Sequence, residues 1–307
     1  MNRANEVGGY ALLHGVEKAS EQFNMESRSV RRYIRKAKAN KAPLEKKKPI
    51  PKKVLLLDIE TAPMEVYVWG LYKQRINHLN IIKEWNVICW SAKWLNDSQY
   101  LGDCLTSKES IQRNDKRILQ SIWKLLEKAD VVIGHNVERF DLRKLNARFK
   151  YYGINPPTPY QTIDTLKHSR RNFAFSSHKQ DYITKFLKLP EKIETNFNLW
   201  IRCLHGEKEA LNEMFNYCEH DVGGLEELYL SLRAWMKSHP NLAIYGDLQE
   251  ERCPACLSTN LKWIGDYATP MGLFDSFRCK NCGHIGRART GVLTKFEKEN
   301  LTRSIAR

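Results

Sequence analysis

Asp58 and Glu60 close the run Val54-Leu55-Leu56-Leu57-Asp58-Ile59-Glu60-Thr61. Four apolar residues leading into two carboxylates describe a short buried strand. Alternate residues of a strand share a face, so Asp58 and Glu60 point the same way, with Leu56 beneath them. Two such carboxylates near a core repel unless a proton or cation neutralises them, and a divalent metal held by oxygen ligands is one solution. By itself, a strand ending in acids also fits a solvated terminus. Downstream, Asp141 stands near the start of a helical stretch, with Asn136 in the turn before it. Tyr217 and Asp221 are four apart in the last long helical stretch, one above the other. That pair fits either a buried Tyr–Asp hydrogen bond or a metal ligand with a water-orienting hydroxyl beside it.

A second constellation is sulfur. Cys253-Pro254-Ala255-Cys256 and Cys279-Lys280-Asn281-Cys282-Gly283 are two knuckles with 22 residues between them. Four thiolates fit one tetrahedral, structural Zn²⁺, and the glycine after the second pair permits the tight turn a knuckle needs. Redox pairs are the competing reading, disfavoured because two pairs occur together. The pattern looks like a zinc ribbon over 250–290. Trp263, Tyr267, Phe274 and Phe277 are expected to form its small core, with Arg278, Lys280, Arg287 and Arg289 as a basic rim. His284 is a weaker ligand candidate, since four sulfurs suffice.

The elements that must position these groups follow from periodicity. Three strands are expected over 54–105: Val54–Ile59, an aromatic stretch through Val66-Tyr67-Val68-Trp69, and Val87–Trp94, the last turning at Asn96-Asp97 into an antiparallel partner. Ile118, Ile122, Leu125 and Leu126 mark a helix over 115–128. Asp130–Gly134 reads as a second buried strand, 139–152 as a helix and Thr162-Ile163-Asp164 as a short strand. Helices follow over 178–188 and 208–235, the latter anchored by Leu225 and Leu228. A meander followed by strand–helix alternation describes an α/β layer with a mixed sheet.

Charge separates the appendages. The chain has 307 residues and a formal net charge of +15. Residues 1–53 carry 14 basic and 5 acidic residues, whereas 54–246 carry 26 and 23. A basic arm on a balanced domain suggests a polyanionic partner, with nucleic acid ahead of an anionic membrane surface. Within a module over 1–37, residues 7–37 read as helices, Ser27 capping one that bears Val30, Ile34 and Ala37. Its opposite face presents Arg28, Arg31, Arg32 and Arg35, as in a helix-turn-helix module, although a solvated basic face fits too. Residues 38–53 form a Lys/Pro-rich linker, and 291–307 a basic tail. No apolar run reaches membrane-spanning length and no signal-peptide core is present, so a cytoplasmic protein is expected. Oligomeric state is not legible.

Taken in order, Asp58-Ile59-Glu60, Asn136-x-x-x-Phe140-Asp141 and Tyr217-x-x-x-Asp221 resemble the three motifs of DEDD-type 3′–5′ exonucleases of the ribonuclease H-like superfamily, in the subgroup with tyrosine in the third motif. The sister subgroup has histidine five positions before its last aspartate, where this chain has Asn216. Trp69-Gly70-Leu71, Lys93-Trp94-Leu95, Ile163-Asp164-Thr165 and Phe175-Ser176-Ser177 are similar to the YprB-like branch. The resemblance spans roughly 54–235, within a domain expected over 54–240. It implies a ribonuclease H-like fold and hydrolysis of phosphodiesters with two Mg²⁺ or Mn²⁺ ions. In that scheme Asp58 bridges both ions, Glu60 and Asp221 complete the nucleophile's site, and Asp141 serves the second ion through water. Tyr217 orients the attacking water, and Asn136 fixes the turn or touches substrate. DNA is the favoured substrate, RNA the second. Other readings are a non-catalytic nucleic-acid binder on the same fold, a structure-specific endonuclease, or a recombinase relative; the last fits the third motif less well.

Overall fold

The computed structural model describes residues 3–27, 29–30, 33–34, 53–190, 195–245, 250–270 and 272–302. The chain divides into two compact units, residues 1–50 and 51–307.

In the first unit, α1 (Arg3–His14) and α2 (Val16–Phe23) meet at Gly15, and Asn24 ends α2 in the left-handed conformation. Val7, Ala11, Ala19 and Val30 are its buried core, with Tyr10 edge-on to Phe23. The next turn begins earlier than the expected serine cap. Val30 N donates to Glu26 O (3.1 Å), while Ser27 Oγ faces Ser20 Oγ at 3.2 Å. The cap position therefore belongs to Glu26. Arg28, Arg31, Arg32, Arg35 and Ala37 lie outside the described residues, as does most of the 38–53 linker.

The second unit is built on a five-stranded sheet in the order β5-β4-β1-β6-β7. These strands are β1 (Val54–Thr61), β4 (Val87–Trp94), β5 (Tyr100–Cys104), β6 (Val131–Gly134) and β7 (Gln161–Asp164). β1 is central, antiparallel to β4 and parallel to β6, so the sheet is mixed as expected. Its alternation sorts two cores. Leu55, Leu57 and Ile59 pack with Ile118 and Ile122 of α4 (Lys116–Leu126) and with Leu145 and Phe149 of α5 (Asp141–Tyr151). Val54 and Leu56 pack instead with Ile133, Ile163 and the Val222, Leu225 and Leu228 face of α9 (Lys208–Leu232). Buried Asp115 fastens the first layer, accepting from Arg148 Nε (2.8 Å) and Val87 N (2.9 Å). The Asn96 turn adopts a left-handed φ of 66° and β4 pairs with β5, as the hairpin reading requires.

Some elements differ from expectation. The aromatic stretch is not a strand of the main sheet. Only Glu65–Val66 (β2) is extended, paired with Ile81–Lys83 (β3) in a separate two-stranded sheet. Tyr67 and Trp69 find no face to pack against and remain exposed. Three further helices lie outside the expected set: α3 (Ser107–Ile111), α6 (Thr165–Asn172) and α8 (Phe197–Leu204). α7 (Gln180–Phe186) falls where expected.

Beyond α9, strands β8 (Leu261–Thr269), β9 (Gly272–Cys279) and β10 (Ile285–Arg287) form an antiparallel sheet. The aromatic core expected there is corrected: Phe277 is buried, but Trp263 and Tyr267 are exposed because β8 is an uncovered edge strand. Phe274 lies half-buried beneath the Arg287 guanidinium, 3.8 Å away. This sheet is seated past the end of α9: Leu242 N donates to Pro254 O at 2.7 Å, and a Cβ at Gly283 would lie 3.6 Å from Ala234 Cβ. A short helix, α10 (Lys295–Glu299), follows behind a Thr294/Glu297 capping box. No described helix is long and apolar enough to cross a membrane.

Candidate functional site

β1 delivers Asp58 and Glu60 to one face, and α9, crossing that face, delivers Asp221. Carboxylate oxygens of the three lie within 4.8 Å of one another. Asp221 is buried, and the other two are partly covered. Tyr217, one helical turn before Asp221, is buried with its ring edge-on to Trp200 of α8 at 6.3 Å. Between them on α9, Cys218 Sγ donates to Asp58 O (3.5 Å) and Oδ2 (3.6 Å). Burial pushes this thiol up to about 12, with Asp58, Glu60 and Asp221 adding to the shift against a hydrogen bond from Cys89. Cys218 therefore remains a neutral donor at the back of the carboxylates.

Asp141 does not join the three. Its Oδ1 accepts from Ile59 N (3.2 Å), the amide between Asp58 and Glu60, so it lies beside the strand at the same level. Burial raises its carboxyl from the ordinary 3.8 to about 7, backbone hydrogen bonds from Asp141 and Ile59 oppose the rise, and the Asp164 charge adds to it. Asn136 has φ 72°, and its N donates to Asp164 Oδ1 at 3.0 Å. Asp164 also accepts from Glu138 N (3.3 Å) and Lys167 N (3.1 Å). One carboxylate thus brackets the turn that aims the Asn136–Asp141 segment. Gly134 permits that turn: a Cβ there would lie 2.6 Å from Val137 Cβ.

A cavity of about 1000 Å³ opens over Asp58, Glu60, Asn136, Tyr217 and Asp221. Residues not anticipated from sequence complete it. Arg170, Lys179 and Lys185 bring positive charge to its lining. Gln180 Nε2 donates to Asp221 O (2.9 Å), tying α7 to the α9 turn that carries the acid. His135 links Thr165 Oγ1 and the His178 carbonyl, both at 2.9 Å. The sequence signal for these was the density of basic and histidine residues over 167–185, which has no fixed spacing. A neighbouring hollow of about 590 Å³ is lined by Met64, Trp85, Lys144, Phe197 and Trp200, and shares Thr195 with the first.

The four cysteines converge. Cys253, Cys256, Cys279 and Cys282 sulfurs lie within 4.8 Å of one another, with Cys253–Cys282 and Cys256–Cys279 each at 3.6 Å. Tetrahedral Zn–S bonds of about 2.3 Å put sulfurs about 3.8 Å apart, so the spacing suits zinc. Burial works against Cys279 ionising, yet the Cys282 and Asn281 backbone groups bring it down to about 7. Gly283 takes the left-handed φ of 75° that the second knuckle needs, and Leu257 adopts φ 66° in the first. His284 faces the Arg233 backbone and is not among the four.

Comparison with known proteins adds the following. Residues 92–233 match the RNase_H superfamily, a span that includes Asp141 and Asp221 and begins after β1. No curated protein matches the chain. Among solved structures, the family B DNA polymerase from the hyperthermophilic archaeon Pyrobaculum calidifontis is similar at 15% identity and a TM-score of 0.44. That similarity covers 61% of this chain and 26% of the polymerase, so the chain spans about a quarter of its length. The mixed sheet flanked by helices has the ribonuclease H-like arrangement that the superfamily match over residues 92–233 names.

Proposed function

We propose that the ribonuclease H-like domain is a metal-dependent nuclease that removes nucleotides from a 3′ end, with DNA as the favoured substrate and RNA as the second. The convergence of Asp58, Glu60 and Asp221 within 4.8 Å carries the reading. Three carboxylates so close repel one another strongly, and divalent cations offset that charge. Asp58, Glu60 and Asp221 would hold Mg²⁺ or Mn²⁺, with Asp141 serving a second ion through water. When bound, such ions supply Lewis acidity and neutralise charge developing on the phosphodiester. The chain's own groups do the rest. Tyr217, a poor base with a reference pKa near ~10, positions the attacking water rather than deprotonating it. Arg170, Lys179 and Lys185 hold phosphate oxygens against the carboxylates. Asn136 fixes its turn or contacts substrate. Zn²⁺ on the four cysteines orders the C-terminal ribbon, which with Arg28, Arg31, Arg32 and Arg35 of the helix-turn-helix-like module would contact nucleic acid.

The test is digestion of single- and double-stranded DNA and RNA with free or blocked 3′ ends, with Mg²⁺, Mn²⁺ or chelator. Asp58→Ala should abolish metal-dependent digestion. Cleavage of blocked or circular substrates would move the reading to an endonuclease. Asp141's position outside the carboxylate group favours one competitor, a non-catalytic binder. Binding with no digestion under any metal would establish that competitor.

A further inference from the structure

Between Ala62 and Trp85 the chain leaves the main sheet as an arm. Its root is firmly built. Arg113 Nη1 donates to the Pro63 and Glu84 carbonyls, both at 2.8 Å, and Nη2 pairs with Glu65 Oε1 at 2.6 Å. β2 and β3 close the base. Beyond that base the arm turns its apolar groups outward: Trp69 is 99% exposed, Tyr72 86% and Tyr67 75%. A fixed root carrying bare aromatic rings costs solvation free energy unless something covers them.

Charge identifies what does. Beyond its root, from Val66 to Ile82, the arm contains Lys73, Arg75 and His78 and no carboxylate; at the root Lys83 pairs with Glu65. Aromatic rings among cations, with acids excluded, match the bases and phosphates of a polynucleotide. Position agrees. The arm leaves β1 just after Glu60, and Met64 at its root lines the smaller hollow, which shares Thr195 with the carboxylate cavity. A strand could pass from one to the other without leaving the surface.

We propose that this arm is a stacking platform for unpaired bases of a single-stranded nucleic acid whose 3′ end lies among Asp58, Glu60 and Asp221. The placement of the end rests on the nuclease reading; the platform does not. Binding of the full chain to a fluorescent single-stranded oligonucleotide, measured by anisotropy in chelator, separates the two. Base–aromatic stacking predicts a loss of about 5- to 150-fold per ring, so Trp69→Ala and Tyr72→Ala should each weaken single-strand binding in that range. Binding to the matching duplex should be unchanged. Lys73→Gln with Arg75→Gln should flatten the log–log salt slope by about 1.4. Both rings are exposed, so thermal melting should match wild type. Unchanged single-strand affinity in all variants overturns the proposal, as does equal loss for duplex. A wild-type dimer that becomes monomeric in Trp69→Ala, with nucleic-acid affinity intact, would assign the patch to a second copy and also overturn it. If wild type binds single strands through the arm yet digests nothing, the platform stands and the nuclease reading falls.

Discussion

Replacing Asp141 with asparagine should stabilise the metal-free protein at alkaline pH while lowering hydrolysis. The carboxyl is held near pKa 7 against an ordinary 3.8. Because the folded value is raised, the unfolded chain releases its proton first. Stability from this group is therefore complete below about pH 4 and is lost as pH rises towards and through 7. Each pKa unit corresponds to about 1.36 kcal/mol, so the whole penalty is about 4 kcal/mol and the part falling between about pH 5 and 8.5 is about 3 kcal/mol. Asparagine cannot ionise, and its carbonyl can still accept from Ile59 N. Urea unfolding in chelator at those two pH values measures the effect, because differences between wild type and Asp141→Asn cancel the titration of other groups. Wild type should lose about 3 kcal/mol more than the variant on going alkaline. Adding Mg²⁺ should shrink the gap if this carboxylate serves a cation. Parallel pH profiles for the two proteins in chelator would refute the argument.

Other outcomes follow from the same geometry. Asp115→Ala would strand the buried Arg148 guanidinium and the Val87 amide, and should cost about 3–5 kcal/mol in thermal or chemical unfolding. Elemental analysis should find one zinc per chain. Chelation or Cys279→Ser should unfold the ribbon, read as lost protection from proteolysis, and leave the sheet's circular dichroism in place.

The legible parts of the sequence were those whose signal is local. Val54–Leu57 running into Asp58 and Glu60 announces the central strand, because a strand buried on both faces must be continuously apolar. Tyr217, Asp221, Leu225 and Leu228 mark one helix face by spacing alone. The cysteine knuckles are self-contained. What stayed hidden depends on distant partners. Asp164 looks like an ordinary strand-end acid, and its bracketing role appears only when the Asn136 and Glu138 amides are brought to it. Asp141 lies outside the 4.8 Å group, and its bond to the Ile59 amide, set by packing between β1 and α5, has no local signal. Tyr67 and Trp69 have good strand propensity, yet no sheet edge receives them. The exposure of Trp263 and Tyr267 has a related origin: aromatic composition does not reveal which face of a hairpin is covered.

The seating of the ribbon on α9 has a geometric consequence. Asp221 sits mid-helix and Arg233 follows just past its end, so about 12 residues at 1.5 Å separate them, or about 18 Å along the axis. Val54, at the far end of β1 from Glu60, borders the same junction. The cysteine module and the acids thus occupy opposite ends of one rigid span. A polymer touching both must bridge it, and at about 3.4 Å per stacked nucleotide that takes about five nucleotides. Under the proposed function, a stacked fragment shorter than this would reach one end or the other.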